Sequence, residues 1–208
     1  QLTVTGLSAH GKVYDGTTAA VVSAAAPTLA GVVGGDDVSL VVSSVTGAFA
    51  SKHAGTAIQV SISGLSLAGA DASSYSLAPL VVTADIEPRP LTVTATADTR
   101  VYDRTVASSV RPSITSGALR QGDSATWLQV FDNGTVGTGK TLQPRGTIND
   151  GNDGANYSVT FVSNTNGAIT AKPVTVTGIT AYDKEYDGTS SATLNVDSAN
   201  LVGVISPD

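Results

Sequence analysis

Lys12-Val13-Tyr14-Asp15-Gly16-Thr17 is the stretch from which the organisation of this chain can be read, because it returns twice. Residues 100–105 repeat it as Arg-Val-Tyr-Asp-Arg-Thr, and residues 184–189 as Lys-Glu-Tyr-Asp-Gly-Thr. An Asp side chain here can accept a hydrogen bond from the backbone N–H two residues on, which predicts an Asx-turn. Gly16 and Gly188 suit a positive φ at the next position. Arg104 in the second copy predicts either a turn without positive φ or a strain of about 1 kcal/mol.

The repetition extends well beyond this turn. The alternating strand sequence of residues 2–5 returns at 91–94 and 174–177, and Gly35-Asp36 matches Gly122-Asp123. Self-similarity at a fixed spacing is the signature of tandem units, and these matches define a unit of roughly 85 residues. We therefore predict one repeat over residues 1–90, a second over 91–173, and the truncated start of a third over 174–208.

Each repeat has the pattern of a small β domain. Threonine and apolar residues alternate in several short runs, turn residues separate them, and six or seven strands are expected in each repeat. Asp71 precedes Tyr75 by four residues, and Asp153 precedes Tyr157 likewise. Immunoglobulin-like domains place a tyrosine in such a corner, with its hydroxyl bonded back to the backbone. The prediction is all-β, with tandem Ig-like β-sandwiches end to end. A β-grasp-like unit, with its first and last strands adjacent, is the alternative.

Five of the six tyrosines occupy repeated positions, which favours a structural role over a role in ligand binding. A repeated tyrosine usually anchors a fold, with its ring buried and its hydroxyl hydrogen-bonded. The predicted structural motif consists of these tyrosines and the residues beside them: Tyr14, Asp15, Gly16, Tyr102, Asp103, Tyr186, Asp187, Gly188, Asp71, Tyr75, Asp153 and Tyr157.

Composition excludes several classes of function. Only 13% of residues are charged, the net charge is −6, and there is no cysteine. Nucleic-acid binding would require a basic surface, thiolate chemistry requires cysteine, and a membrane-spanning helix requires about 18 consecutive apolar residues. Neither His10 nor His53 recurs in another repeat, so no shared site depends on imidazole. We expect no enzymatic activity, no catalytic residues and no cofactor.

One loop of the second repeat is a candidate calcium site. Carboxylate and amide oxygens suit Ca²⁺, and the candidate ligands are Asn149, Asp150, Asn152 and Asp153. An EF-hand loop opened at Asp150 would place Phe161 where a bidentate glutamate is needed. Such Asn-Asp-Gly strings are also ordinary turn sequences. A calcium-stabilised module is therefore kept as an alternative to a metal-free one.

Taken together, the strand of residues 2–5, the Tyr-Asp-Gly turn, the Gly-Asp that follows a glycine-rich stretch and the late Asp-x-x-x-Tyr resemble the YDG repeat. That repeat occurs in tandem in large, filamentous haemagglutinin-like adhesins of Gram-negative bacteria. The resemblance implies secretion, often by a two-partner route, and display on the outer surface or in a biofilm matrix. It implies no catalytic residues.

The junctions between repeats contain proline and no flexible Gly/Ser-rich linker. Pro88 and Pro90 precede the second repeat and Pro173 precedes the third, which predicts semi-rigid junctions. The favoured function is a structural spacer for cell adhesion or biofilm matrix, with neighbouring repeats as the main partners. Direct binding of polysaccharide or host glycan by the repeats is the alternative. A chain with a complete third repeat is expected to be monomeric, whereas the unpaired edges of an incomplete one should seek a partner.

Overall fold

The computed structural model describes residues 1–206, which form an all-β protein of many short strands. Only one turn of 3-10 helix interrupts them, at Ala72–Ser74. No helix among these residues is long and apolar enough to cross a membrane. The all-β prediction is confirmed. Pro207 and Asp208, with which the predicted third repeat ends, lie outside the described residues.

Backbone contacts divide the chain into two compact units that do not coincide with the sequence repeats. Unit 1 comprises Gln1–Val93, Ile114–Trp127 and Gly146–Phe161, and unit 2 comprises Thr94–Ser113, Leu128–Arg145 and Val162–Asp208. Unit 1 therefore contains the whole first repeat together with segments of the second. The boundaries of the repeats at 90/91 and 173/174 stay a prediction from the sequence.

The first repeat supplies eleven short strands. They are β1 (Thr3–Thr5), β2 (Ser8–Ala9), β3 (Lys12–Val13), β4 (Ala19–Ala20), β5 (Val22–Ser23), β6 (Thr28–Ala30), β7 (Ser39–Val41), β8 (Thr46–Phe49), β9 (Gly55–Ser63), β10 (Ser66–Ala68) and β11 (Leu80–Glu87).

The last strand of the repeat pairs with a strand near its beginning. Strands β1 and β2 pair antiparallel with β6 and β5, β4 pairs with β8, and β7 and β8 pair with β10 and β9. Strand β11 lies antiparallel to β9 and parallel to β3, which continues the segment of β1 and β2. The sheets of this repeat thus curl into a barrel-like arrangement, and an Ig-like sandwich is not specifically confirmed. The last strand, β11, pairs with β3 and not with the first strand, β1, so the adjacency that the β-grasp alternative expected is not confirmed either.

A glycine permits the sharp bend between β9 and β10, which belong to different sheets. Gly64 separates β9 from β10 and has φ 79°. A Cβ atom on this residue would lie 2.0 Å from the carbonyl oxygen of Ser44, in the turn between β7 and β8. Only glycine therefore permits both the positive φ and the close approach of the two backbones. Gly146 recurs at the matching place in the second repeat, where an added Cβ would lie 2.3 Å from the Trp127 ring.

The second repeat reproduces this pairing with longer strands. They are β12 (Arg89–Thr94), β13 (Thr99–Val101), β14 (Ser113–Ser116), β15 (Ser124–Phe131), β16 (Gly137–Asn149), β17 (Tyr157–Val162) and β18 (Asn164–Thr170). One sheet has the order β14-β12-β17 and the other β13-β18-β16-β15. Strand β13 is parallel to β18, as β3 is to β11. The repeated sequence therefore specifies a repeated strand order.

Of the third repeat, the described residues form only the first antiparallel pairs. Strand β19 (Thr175–Thr177) pairs with β22 (Asn200–Val202), and β20 (Thr180–Ala181) pairs with β21 (Leu194–Asn195). These pairs match those of β1 with β6 and β2 with β5. Almost every residue of this segment is exposed to solvent. The prediction that its edges seek a partner is untested.

Among the described residues, two hydrophobic clusters lie in unit 1 and one lies in unit 2. The first cluster of unit 1 belongs to repeat 1 alone and is built on Val4, Leu7 and Ile62. The second joins Tyr14, Phe49, Val60 and Ile86 of repeat 1 to Leu91 and Tyr157 of repeat 2. In unit 2, the cluster consists of Ala95, Phe131, Leu142 and Ile169, with Tyr102 packed against it. The two repeats therefore share a core within unit 1.

Candidate functional site at the tyrosine–aspartate junction

The Tyr-Asp-Gly turn is held together by the side chain of its aspartate. Asp15 accepts hydrogen bonds from the backbone N–H of Thr17, at 2.8 Å, and from the Thr17 hydroxyl, at 2.9 Å. The Lys12 ammonium donates to the same carboxylate at 2.8 Å. Burial raises the pKa of Asp15, but these hydrogen bonds outweigh it and hold the pKa below its usual value. The turn is the Asx-turn that the sequence predicts, with a cation added.

The same constellation recurs in the other two repeats. Asp103 accepts from the Thr105 N–H at 2.8 Å and pairs with Arg100, and the hydrogen bond from Arg100 is the main cause that lowers the pKa of Asp103 to about 2. Asp187 accepts from the N–H of the threonine two residues on at 2.9 Å and from the Lys184 ammonium at 2.8 Å. The turn therefore forms in every repeat, whatever surrounds it.

Arg104 resolves the alternatives that the sequence left open at the second turn. Its φ is 71°, close to the 81° of Gly16 and the 77° of Gly188. The turn thus requires positive φ in all three copies, and Arg104 adopts it with a side chain for which this region is unfavourable by about 1 kcal/mol.

Tyr14 is the most deeply buried of the repeated tyrosines. Its ring is fully buried in the shared core of unit 1, edge-on to the Tyr157 ring with 5.5 Å between centroids. Its hydroxyl donates a hydrogen bond of 3.1 Å to the carboxylate of Asp123. Burial, followed by the hydrogen bond to Asp123, raises the pKa of Tyr14. A residue of the first repeat is thereby bonded to a residue 109 positions later.

Tyr157 binds the same carboxylate oxygen, Oδ2 of Asp123. Its hydroxyl donates to Asp123 at 2.5 Å and accepts from the backbone N–H of Arg120 at 2.8 Å. Burial and the hydrogen bond to Asp123 raise the pKa of Tyr157 to about 12. Asp123 therefore receives two tyrosine hydroxyls, one from each repeat. We call Tyr14, Asp123 and Tyr157 the tyrosine–aspartate junction.

Repeat 1 carries half of this arrangement on its own surface. Tyr75, the counterpart of Tyr157, donates to Asp36 and accepts from the backbone N–H of Val33 at 3.0 Å. The hydrogen bond to Asp36 raises the pKa of Tyr75. The sequence expected the hydroxyl to bond back to the backbone, and it does so to a residue 42 positions upstream. Asp71, four residues before, accepts from the Asp37 N–H at 2.9 Å and so holds the adjoining loop.

Three of the five repeated tyrosines are less buried than the sequence expected, because Tyr75 is also only half-buried. Tyr102 is half-buried beside the core of unit 2, and Tyr186 is 98% exposed. Tyr14 owes its burial to β11, because its N–H donates to the Glu87 carbonyl at the end of that strand. Within residues 174–206 no strand equivalent to β11 is present, so nothing covers Tyr186.

Asp123 and Asn156 were not identified as functional residues from the sequence. Asp123 was visible only as a landmark that matches Asp36. Asn156 is fully buried and accepts from the Ala54 N–H at 2.9 Å, and its side-chain nitrogen lies 3.1 Å from His53 Nδ1. Within unit 1 this asparagine joins the second repeat to the first, as Asp123 does. The match with Asp36 was the one available signal for Asp123, and nothing comparable pointed to Asn156.

The candidate calcium loop is organised by Asp150. This buried carboxylate accepts from the backbone N–H groups of Asn152, Gly154 and Asn156, at 2.8, 2.9 and 3.0 Å. Burial raises the pKa of Asp150, but these bonds outweigh it and lower the pKa. Asn149 and Asp153 are exposed, and Asp153 has φ 52°. Among the described residues, no group of three or more acidic, histidine or cysteine side chains is placed to hold a metal ion. The calcium site stays a prediction.

Trp127 forms a small aromatic site on the surface of unit 1. Its half-buried ring lies edge-on to Phe161, with 6.0 Å between centroids, and Phe161 is 42% exposed. The pair lines an open groove of about 330 Å³ to which Asp153 and Tyr157 also contribute. The sequence predicted core or half-core filling for Trp127, and its half-buried position is compatible with that prediction.

Comparison with known families identifies two tandem copies of one domain in this chain. The model of the YDG domain matches residues 1–82 and again residues 87–166, so the two matched segments follow each other in tandem. No curated protein and no solved structure matches the chain. The matched segments cover well over half of the sequence and include the first two Tyr-Asp-Gly turns and the whole tyrosine–aspartate junction. The chain therefore belongs to the YDG domain family.

Proposed function

We propose that these repeats are structural spacers of a secreted bacterial surface adhesin, supporting cell adhesion or the biofilm matrix. The observation that carries the proposal is the tyrosine–aspartate junction. In it, Tyr14 of the first repeat is buried in a core shared with Leu91 and Tyr157 of the second, and is hydrogen-bonded to Asp123. Such a junction resists bending and separation of the joined segments, which a spacer requires.

The distribution of charge agrees with a function based on the common fold. Residues 1–90 carry a net charge of −3, residues 91–173 of +1 and residues 174–208 of −4. A ligand recognised by charge in every repeat would require similar charges in each. The Tyr-Asp-Gly turn, in contrast, has the same hydrogen bonds in all three. The feature that the three repeats of this chain share is therefore the folded turn and not the charge.

Pulling experiments on single molecules of the whole chain test this function. If the junction transmits force, repeat 1 and the first strands of repeat 2 unfold in one event, and Tyr14→Phe lowers the force of that event. Tyr182→Phe is the matched control, because this tyrosine is 51% exposed and lies outside the repeated positions. Separate events for the two parts, with no effect of Tyr14→Phe, would contradict the spacer proposal.

Secretion and surface display are proposed on the family resemblance. Antibodies raised against the chain should label intact cells of the source organism without permeabilisation. Labelling that requires permeabilised cells would place the protein inside and remove this part of the proposal. An Ig-like sandwich stays a proposal for the finer fold, and the curled strand pairing of repeat 1 favours a barrel over it.

Direct glycan binding is the second candidate, and the aromatic groove is the observation that favours it. Sugar rings stack on exposed aromatic faces beside polar groups, and Trp127, Phe161 and Asp153 combine these features. A glycan array probed with the whole chain tests the candidate, with Trp127→Ala as the variant that should lose binding. Binding that survives this substitution would exclude the groove, and absence of binding would leave the spacer function alone.

A further inference from the structure

We propose that Asn133 is a site of deamidation, at which the side-chain amide is hydrolysed to a carboxylate that pairs with Lys140. The chain contains two Asn-Gly pairs, Asn133-Gly134 and Asn166-Gly167. Glycine has no Cβ, so its backbone nitrogen can reach the side chain of the preceding residue without hindrance. The two pairs are equivalent in sequence, but the structure makes only the first one suited to this reaction.

Asn133 lies exposed in an Asx-turn between β15 and β16. Its Oδ1 accepts hydrogen bonds from the backbone N–H of Thr135 at 3.2 Å, from the Thr135 hydroxyl at 2.6 Å and from the Lys140 ammonium. This conformation bends Cγ toward the backbone that follows it. Three donors on one oxygen also stabilise the negative charge that this oxygen takes up when Cγ is attacked. Gly134, which carries the attacking nitrogen, belongs to none of the described strands.

The reaction requires only the chain and solvent water. The Gly134 backbone nitrogen attacks Cγ of Asn133, a C–N bond forms and the Cγ–Nδ2 bond breaks. The proton lost from Gly134 leaves with the amide nitrogen as ammonia. Water then adds to Cγ of the resulting succinimide ring and breaks the new C–N bond, which restores the Gly134 N–H. A carboxylate remains at position 133, and the net charge of the chain falls by one.

The second Asn-Gly pair is held in a strand. Asn166 and Gly167 lie within β18, and Gly167 is buried and paired with Lys140 of β16. Side chains in a strand stand roughly perpendicular to the sheet, and the ladder fixes the backbone. Cγ of Asn166 is therefore kept from the nitrogen of Gly167, and we expect this pair to stay intact.

The product completes an arrangement that the chain builds elsewhere with aspartate. Asp15 accepts from the N–H and hydroxyl of the threonine two residues on and from Lys12, as Asn133 does from Thr135 and Lys140. Lys140 is 7% exposed, and its ammonium donates to two neutral oxygens, Asn133 Oδ1 and Thr135 Oγ1. A carboxylate at position 133 gives this buried cation a directly bonded counter-charge.

The packing of the turn selects between the two products of ring opening. Opening at the other carbonyl gives isoaspartate, which adds a methylene group to the backbone. A Cβ on Gly134 would already lie 2.8 Å from the Thr105 carbonyl oxygen and 3.0 Å from that of Arg104. A lengthened backbone has little room here, so aspartate is the expected product in the folded chain.

Peptide mass spectrometry of the whole chain, incubated at mildly alkaline pH, tests the proposal. Trypsin separates the two asparagines because it cleaves after Lys140 and Arg145. The peptide with Asn133 should gain about 1 Da, at a rate at least about tenfold that of Asn166. In concentrated urea the two rates should become similar, because the unfolded chain no longer distinguishes the two pairs.

Asn133→Asp introduces the product directly. It should raise the Tm by about 2–4 °C, and Lys140→Gln should abolish this gain. The gain should also shrink at high salt, which measures the pairing if Lys140→Gln does not fold. A rate at Asn133 no higher than that at Asn166 in the folded chain, isoaspartate as the main product, or a Tm that Asn133→Asp does not raise would each overturn the proposal.

Discussion

The substitution Tyr14→Phe removes a single oxygen atom from the centre of the tyrosine–aspartate junction. Tyr14 is fully buried, and its hydroxyl lies 3.1 Å from one carboxylate oxygen of Asp123 and 3.5 Å from the other. The phenylalanine ring keeps the packing against Phe49, Val60 and Ile86. The change therefore isolates the hydrogen bond from the hydrophobic contribution of the ring.

The expected cost follows from the state of the groups that remain. A hydrogen bond to a charged partner contributes about 1.5–3 kcal/mol, and its loss costs most where the partner is left unsatisfied. Asp123 is only half-buried and keeps the hydrogen bond from Tyr157, so the cost should lie at or just below the lower limit of this range, at about 1–1.5 kcal/mol. Tyr14→Ala also removes the ring, and a buried aromatic residue replaced by alanine costs about 3–5 kcal/mol.

Thermal unfolding monitored by calorimetry or circular dichroism measures both costs. For a chain of this size, 1 kcal/mol corresponds to about 2–4 °C in Tm, so Tyr14→Phe should lower the Tm by about 2–6 °C. Tyr186→Phe should leave the Tm unchanged because Tyr186 is 98% exposed. A double-mutant cycle with Asp123→Asn should show a coupling of about 1 kcal/mol. Additive effects of the two substitutions, or an unchanged Tm in Tyr14→Phe, would refute the assignment of this bond as a stabilising contact between repeats.

Three further predictions concern the turns, alkaline pH and calcium. Arg104→Gly should raise the free energy of unfolding by about 0.5–1 kcal/mol because it relieves an unfavourable φ, and Gly16→Ala should lower it by about 1 kcal/mol. Urea titrations of the whole chain measure both changes, and a loss of stability in Arg104→Gly would contradict the strain. Because folding raises the pKa of Tyr157 from 10.0 to about 12, its contribution to the free energy of unfolding should be complete below pH 10 and lost as the pH rises through about 12. Across this range the free energy of unfolding should fall less steeply with pH in Tyr157→Phe than in the unchanged chain, and an identical slope would exclude the effect. Since three backbone N–H groups already bond the Asp150 carboxylate, EDTA should leave the Tm unchanged, and a rise in Tm on adding Ca²⁺ would instead favour the calcium-stabilised alternative.

The tyrosine–aspartate junction adds side-chain contacts to the prolines that restrict the backbone between the first and second repeats. Pro88 and Pro90 restrict the backbone between the first and second repeats, as the sequence indicated. The structure adds that the shared core of unit 1 includes Leu91, the first residue after these prolines. Stiffness of this joint should therefore depend on side chains far from the linker in sequence, such as Tyr14 and Asp123, and not on the linker alone.

Local patterns were sufficient to predict the all-β class, the turns and their repetition, although the first repeat has eleven strands where six or seven were expected. The Asx-turn at Asp15 depends on atoms two residues apart, and alternation of threonine with apolar residues requires only that one strand face be buried. Features of this kind are encoded within a few residues, so they could be read directly. The positive φ at Arg104 could be stated as one of two alternatives, because the same turn has glycine in the other repeats.

The tertiary structure alone decided which of the equivalent residues are buried and what they contact. Tyr14 and Tyr186 share the same local sequence and the same turn, yet one is fully buried and the other 98% exposed. The difference depends on β11 and on Asp123, which are distant in sequence from the turn that they cover. The curled pairing of β3 with β11 was equally beyond local patterns, because a strand's own sequence does not specify its partner. The sequence by itself therefore determined the repeated unit, and the long-range packing determined that two repeats share one core.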